Sequence, residues 1–161
     1  MKKLFGILIA ASLMFGLVSC AQTDSNHTAS GETAPMDDED NEWGIVLSAE
    51  DVTPKGMTLV CTQSDGHYTG ELYTGSPYVI EQVVNGIWLP LDTKLGLDRW
   101  AWTMEGWIIR PNDTTKWEVN WAFLYGELGP GVYRIRKEIM NFRGPGDYTE
   151  KPYYAEFAIV D

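Results

Sequence analysis

Few side chains in this sequence are equipped for catalysis, and their scarcity decides much of what it can do. Only 2 Cys and 2 His occur in 161 residues, which removes most zinc sites, thiol redox pairs and His-dependent triads. His67, the one histidine beyond residue 42, lies in a Gly-containing turn, so a triad would have to join it to Ser48, Ser64 or Ser76. Nothing marks any of these serines as an activated nucleophile. Glu118 with Glu138 is the kind of carboxylate pair a glycosidase uses, but each alternates with apolar residues along its segment, as solvated charges do. Gly129-Pro130-Gly131 and Gly144-Pro145-Gly146 are turns, because neither opens a helix that could receive a phosphate. Asp37-Asp38-Glu39-Asp40 lacks the alternating ligand spacing and turn glycine of a calcium loop. The chemistry points away from an enzyme, and no cofactor is expected.

Aromatic residues are the larger resource. All 7 Trp and all 8 Tyr lie from residue 43 onward, more indole than a small core requires. Trp100, Trp102 and Trp107 sit among Arg99, Thr103 and Glu105, a mixture that can stack on sugar rings or grip a peptide. Their spacing also points Trp100, Trp102 and Met104 to one face of a strand, which favours a place in the core. Trp100, Trp102 and Trp107 are the candidate ligand-binding residues.

Three segments must position these groups. Lys2 and Lys3 precede an uncharged, mostly apolar run of 15 residues from Leu4 to Val18, shorter than the roughly 20 of a spanning helix and suited to a secretory signal. It ends in Leu17-Val18-Ser19-Cys20, which resembles the lipobox of bacterial lipoproteins. The resemblance implies a signal peptide over 1–19, cleavage before Cys20, and lipid attachment there, with palmitate-type chains holding the protein to the extracytoplasmic face of the cell membrane. Residues 20–42 follow as an acidic tether: from 21 to 42 there are seven acids, no Lys or Arg and no aromatic residue, too little apolar surface to offset ordering entropy. The whole chain carries −11, which repels nucleic acid and anionic lipid headgroups, so nucleic acid is excluded as a partner.

Residues 43–161 read as one all-β domain. Strand patterns fall over Gly44–Val52, Met57–Gln63, Tyr78–Val84, Ile87–Leu89, Arg99–Ile109, Thr114–Leu124, Gly131–Phe142 and Lys151–Val160, with Asn85-Gly86 as the strongest hairpin signal. Trp117, Val119, Trp121 and Phe123 alternate with Lys116, Glu118 and Asn120, although Trp117, Trp121 and Leu124 also satisfy helical spacing. Tyr133, Ile135 and Ile139 alternate with Arg134, Arg136 and Glu138. Lys137 breaks that series, so the strand is expected to leave the core or bulge there. Seven or eight short strands predict an antiparallel two-sheet sandwich.

Leu128-Gly129-Pro130-Gly131-Val132-Tyr133 resembles the tyrosine corner of Greek-key sandwiches, which implies that the Tyr133 hydroxyl bonds back to the preceding turn. Ile135 stands where antibody domains place a disulfide cysteine, so no intradomain disulfide is expected and Cys61 is read as a buried, reduced thiol. Gly70 to Gly75, Trp117-Glu118-Val119-Asn120-Trp121 and Pro130-Gly131-Val132-Tyr133-Arg134-Ile135 together resemble a family of bacterial immunoglobulin-like domains. The resemblance implies an immunoglobulin-like β-sandwich in an extracytoplasmic setting and brings no catalytic residues. The functional expectation is therefore a lipid-anchored, non-catalytic binding or assembly module. Its partners are the membrane, through Cys20, and an envelope protein or glycan. A structural spacer, or a carbohydrate-active enzyme using surface carboxylates, is the alternative.

Overall fold

The computed structural model describes residues 41–94 and 101–160, and every regular element among them is a strand. The expected signal segment, Cys20, the tether up to residue 40 and Trp100 lie outside the described residues. In chain order the strands are β1 (Ile45–Thr53), β2 (Gly56–Gln63), β3 (Glu71–Gly75), β4 (Val79–Val84), β5 (Ile87–Pro90), β6 (Gly106–Ile109), β7 (Thr114–Asn120), β8 (Gly131–Gly144) and β9 (Asp147–Ile159).

They form two antiparallel sheets, a three-stranded one ordered β1-β2-β7 and a six-stranded one built on β8. Along one side β8 pairs with β9 from Gly131 opposite Ile159 to Phe142 opposite Tyr148. Its other side is shared end to end, β4 pairing with residues 133–136 and β3 with residues 139–142. Outside these lie β5 against β4 and β6 against β3. The chain passes between sheets after β2, β6 and β7, which makes the sandwich expected from the alternating pattern.

The inner faces follow that alternation: Leu59 and Cys61 from β2, Trp117 and Val119 from β7, Ile135 and Ile139 from β8, and Tyr153 and Ala155 from β9 are all buried. Asn85 and Gly86 both take positive φ, 52° and 77°, the conformation a two-residue hairpin turn needs to match strand twist. Cys61 is fully buried on the central strand of its sheet, and burial pushes its thiol up to about 12. Tyr133 is buried, and its hydroxyl donates to the Gly129 carbonyl at 3.0 Å while accepting from Gln82 Nε2 at 3.3 Å. Replacing it with Phe keeps the ring and removes both bonds. Denaturant melts of the full chain should therefore register a loss of about 1–2 kcal/mol, and an unchanged midpoint would show the hydroxyl to be idle.

Four expectations need correction. First, β3 was not anticipated as a strand: its inward residues are Leu72 and Thr74, and a threonine gives no apolar alternation, its hydroxyl instead donating to the Glu138 carbonyl at 2.8 Å. Second, the strand expected over Arg99–Ile109 begins only at Gly106. Ser76 Oγ donates to the Thr103 carbonyl at 2.6 Å, a local bond that competes with a ladder, and Met104 is fully exposed rather than in the core. Third, β7 ends at Asn120. The Asn120 side chain accepts from the Ala122 N–H at 3.1 Å and starts a single helical turn, in which the N–H of Tyr125 donates to the Trp121 carbonyl at 2.8 Å. Trp121 and Leu124 are buried by that turn, while Phe123, expected inside, is exposed. Fourth, β8 neither leaves the core nor bulges at Lys137. Its pairing is unbroken there, the register shifting only between Phe142 and Gly144, and the Lys137 side chain points inward, 4% exposed.

A lysine can occupy that inward position because β3 and β4 part company opposite it. Neither strand pairs with β8 at residues 137–138, and Lys137 Nζ donates instead to the carbonyls of Gly75 and Pro77. The ammonium also lies 5.5 Å from the centre of the Trp107 ring.

Candidate functional site

The break between β3 and β4 also opens the surface. The chain leaves β3 at Gly75, turns through Pro77 and re-enters the sheet at Val79, so Tyr78 stands at the lip of a gap beside β8. The segment after β5, Leu91 to Thr93, borders the same gap, as does Trp102. Between them is a cleft of about 870 Å³, within the size range of small-ligand sites, with Tyr125 and the outward side chains of Arg136 and Glu138 completing its wall.

Its aromatic side is fixed in place. Tyr78 and Trp102 meet edge to face with ring centres 5.0 Å apart, and Tyr78 lies 6.3 Å from Tyr125. Both phenols are anchored on backbone: Tyr78 Oη donates to the Asn120 carbonyl at 3.2 Å, and Tyr125 Oη accepts from the Ile80 N–H at 3.3 Å. Burial raises the pKa of each, and for Tyr78 the neighbouring Tyr125 raises it further; for Tyr125 the Ile80 N–H and the Arg136 charge oppose the rise. The hydroxyls therefore remain protonated at neutral pH, and the rings are rigid surfaces rather than loose side chains.

Opposite them is a charged array on the outer face of the larger sheet. Arg136 Nε lies 3.4 Å from Glu138 and its Nη1 lies 3.8 Å from Glu81. Glu81, only 7% exposed at its side chain, also holds Arg134 at 2.5 Å. The Arg134 guanidinium is in turn placed over the Trp88 and Tyr154 rings, 4.6 and 4.2 Å from their centres. Such a planar stack of rings and fork-shaped donors holds orientation better than lysines would.

The residues singled out from sequence are distributed unevenly around this site. Trp102 forms part of the cleft wall. Trp107 turns inward on β6, its ring 6.0 Å from that of Trp117, and serves the core. Glu118 and Glu138, the pair considered for glycoside hydrolysis, are on different sheets and alternate with inward residues on each, so they point away from each other across the sandwich. Glu118 is occupied by the Thr58 hydroxyl at 3.1 Å. His67 is exposed in its turn, and among the described residues no three His, Cys, Asp or Glu side chains converge to hold a metal ion. Tyr78, Tyr125, Asp92 and Arg136 were missed, since each looks like an ordinary strand or turn residue until the gap between β3 and β4 assembles them.

A second hollow of about 490 Å³ lies at the end of the sandwich where the described chain begins, beside Trp43 and His67. There Asn41 and Glu42 are already bound into the domain: Asn41 Oδ1 accepts from the Ile45 N–H at 2.9 Å, the Glu42 carbonyl accepts from the His67 N–H at 2.6 Å, and the Glu42 carboxylate pairs with Lys151 at 2.7 Å. Beside Trp43 and Tyr68 its lining is mostly polar, from Thr69, Asn141, Arg143 and Thr149.

The model of a family described as a bacterial Ig-like domain matches residues 41–158. No curated protein and no solved structure matches the chain.

Proposed function

Since the chain belongs to the bacterial Ig-like domain family, we propose that it is a lipid-anchored, extracytoplasmic binding module without catalysis of its own. The observation that carries the binding role is the cleft between Trp102, Tyr78 and Arg136, which is rigid, mostly apolar and edged with charge. A spacer has no need of such a site. Separation of Glu118 from Glu138 supports the non-catalytic reading, and the lipobox-like Leu17-Val18-Ser19-Cys20 supports the anchor.

Two measurements test the halves of this proposal. Cells fed a clickable fatty acid should label the protein through Cys20, and Cys20→Ala should abolish the label; label persisting in that variant would remove the anchor from the reading. For binding, the purified full chain should co-sediment with an isolated cell-envelope fraction and lose most of that retention on Trp102→Ala. Retention indifferent to Trp102 would favour the spacer role.

A further inference from the structure

We infer that the cleft is a glycan site, built for an uncharged oligosaccharide. The inference rests on the binding reading above and adds the class of ligand. It follows from which hydrogen-bonding groups the cleft has left to offer.

Ring surfaces dominate one wall, and they suit two kinds of ligand, the C–H face of a sugar and the ring of proline. Aromatic grooves that take proline-rich segments must also donate hydrogen bonds, because such a segment shows carbonyl oxygens and few N–H groups. Here the Tyr78 hydroxyl proton is already committed to the Asn120 carbonyl. Arg136 is divided between Glu81 and Glu138. What remains is a mixed set: Tyr125 Oη accepts from the Ile80 N–H and keeps its own proton to donate, while among the described residues the carboxylates of Asp92 and Glu138, the latter shared with Arg136, line the cleft as acceptors against the one guanidinium of Arg136.

A wall with a phenol donor and two carboxylate acceptors selects a ligand whose own groups both donate and accept. Sugar hydroxyls do both, and carboxylates accept from them with charge-assisted strength. A polyproline segment would instead set its carbonyl oxygens against carboxylates. The same excess of negative charge disfavours acidic sugars, since two unlike ligands of equal shape are separated by the one that meets like charge. Both carboxylates and aromatic rings are therefore accounted for by one ligand class, a neutral saccharide lying with a ring face on the Trp102–Tyr78 wall and hydroxyls toward Asp92 and Glu138.

The test is titration of the full chain with neutral trisaccharides of glucose, mannose and N-acetylglucosamine, followed by tryptophan fluorescence and calorimetry. Decaproline and a glucuronate-containing trisaccharide are run in parallel. At least one neutral trisaccharide should bind saturably, with the acidic one weaker by about tenfold. Trp102→Ala should weaken binding about tenfold or more, whereas Trp102→Phe, which keeps a platform, should stay within about threefold. Asp92 is exposed at the rim, so Asp92→Asn leaves the fold intact and should weaken binding about three- to tenfold. Thermal melts of each variant separate loss of the site from loss of the fold. Saccharide binding indifferent to both positions would overturn the inference. So would binding of decaproline alone, or envelope retention that depends on Trp102 without any trisaccharide binding, and in both cases the binding reading would survive. Failure of every ligand together with Trp102-independent envelope retention would overturn both.

Discussion

Trp121→Ala should cost the domain about 3–5 kcal/mol, a large share of the roughly 5–15 kcal/mol by which such domains are stable. Trp121 is fully buried in the helical turn that follows β7. Its ring stacks on Phe157 at 5.2 Å, and Phe157 stacks in turn on Tyr133 at 5.7 Å, so one side chain supports a column that spans both sheets. Indole Nε1 donates to the Pro54 carbonyl at 2.9 Å, tying the column to the turn between β1 and β2. That carbonyl keeps the N–H of Leu128 at 2.9 Å after truncation, so the loss comes chiefly from the cavity and the broken stack. Denaturant melts of the full chain measure it. Trp121→Phe, which refills most of the space, should recover more than half of the loss, and a shift below about 1.5 kcal/mol for Trp121→Ala would mean that the column is not a principal support.

The second large effect concerns Lys137 and pH. Burial lowers its pKa to about 8 from an ordinary 10.5, and among the described residues no carboxylate is paired with it. Between those two values the unfolded chain binds the proton and the native chain does not, so native stability rises with pH across that window. Below pH 8 the buried ammonium carries its full cost, up to about 3 kcal/mol at roughly 1.4 kcal/mol per pH unit. The Gly75 and Pro77 carbonyls and the Trp107 ring favour the charged form, so about 2–3 kcal/mol is expected. The measurement is the stability difference between wild type and Lys137→Met at pH 7 and pH 9.5. It should move by about 1–2 kcal/mol in favour of the wild type at the higher pH, a partial traverse of the window. Subtraction matters because Cys61 and Tyr153, both raised to about 12, contribute the opposite slope as their unfolded counterparts begin to ionise. A difference that stays flat would mean that the amine keeps an ordinary affinity for its proton.

The all-β class and most strands were legible because burial is one-sided. From Lys116 to Asn120 in β7 buried Trp117 and Val119 alternate with exposed polar residues, and from Tyr153 to Ile159 in β9 every second residue is apolar and buried, so a period of two appears in the letters themselves. That signal fails wherever an inward position is filled by a polar residue satisfied through tertiary contacts. Thr74 and Lys137 are such cases, and both find their partners on segments more than sixty positions away or nearly so. Gln63 is a third: fully buried, it donates to the Trp43 and Asp65 carbonyls and accepts from the Asn112 N–H, closing three loops at once. The cleft was legible only through Trp102. Tyr78, Tyr125 and Arg136 belong to three different segments, and their meeting depends on β4 and β3 dividing one side of β8 between them, a matter of register that no local pattern records.

That division of β8, with β9 running unbroken along its other side, also sets how the domain answers to being pulled. The Glu42–Lys151 contact marks the end at which β1 starts, and the last rung of β9, Ile159 opposite Gly131, lies at the other end, with strands running between them. Tension applied across these two points acts along the strand axes. The ladders of β1 with β2 and of β8 with β9 then carry it in shear, with many hydrogen bonds sharing the load, while at the 76–78 link between β3 and β4 the tie to β8 is Lys137 with the Gly75 and Pro77 carbonyls. A tug along the chain is therefore resisted by the long ladders, and the stretch of β8 beside the cleft, which neither β3 nor β4 pairs, shares that load with β9 alone.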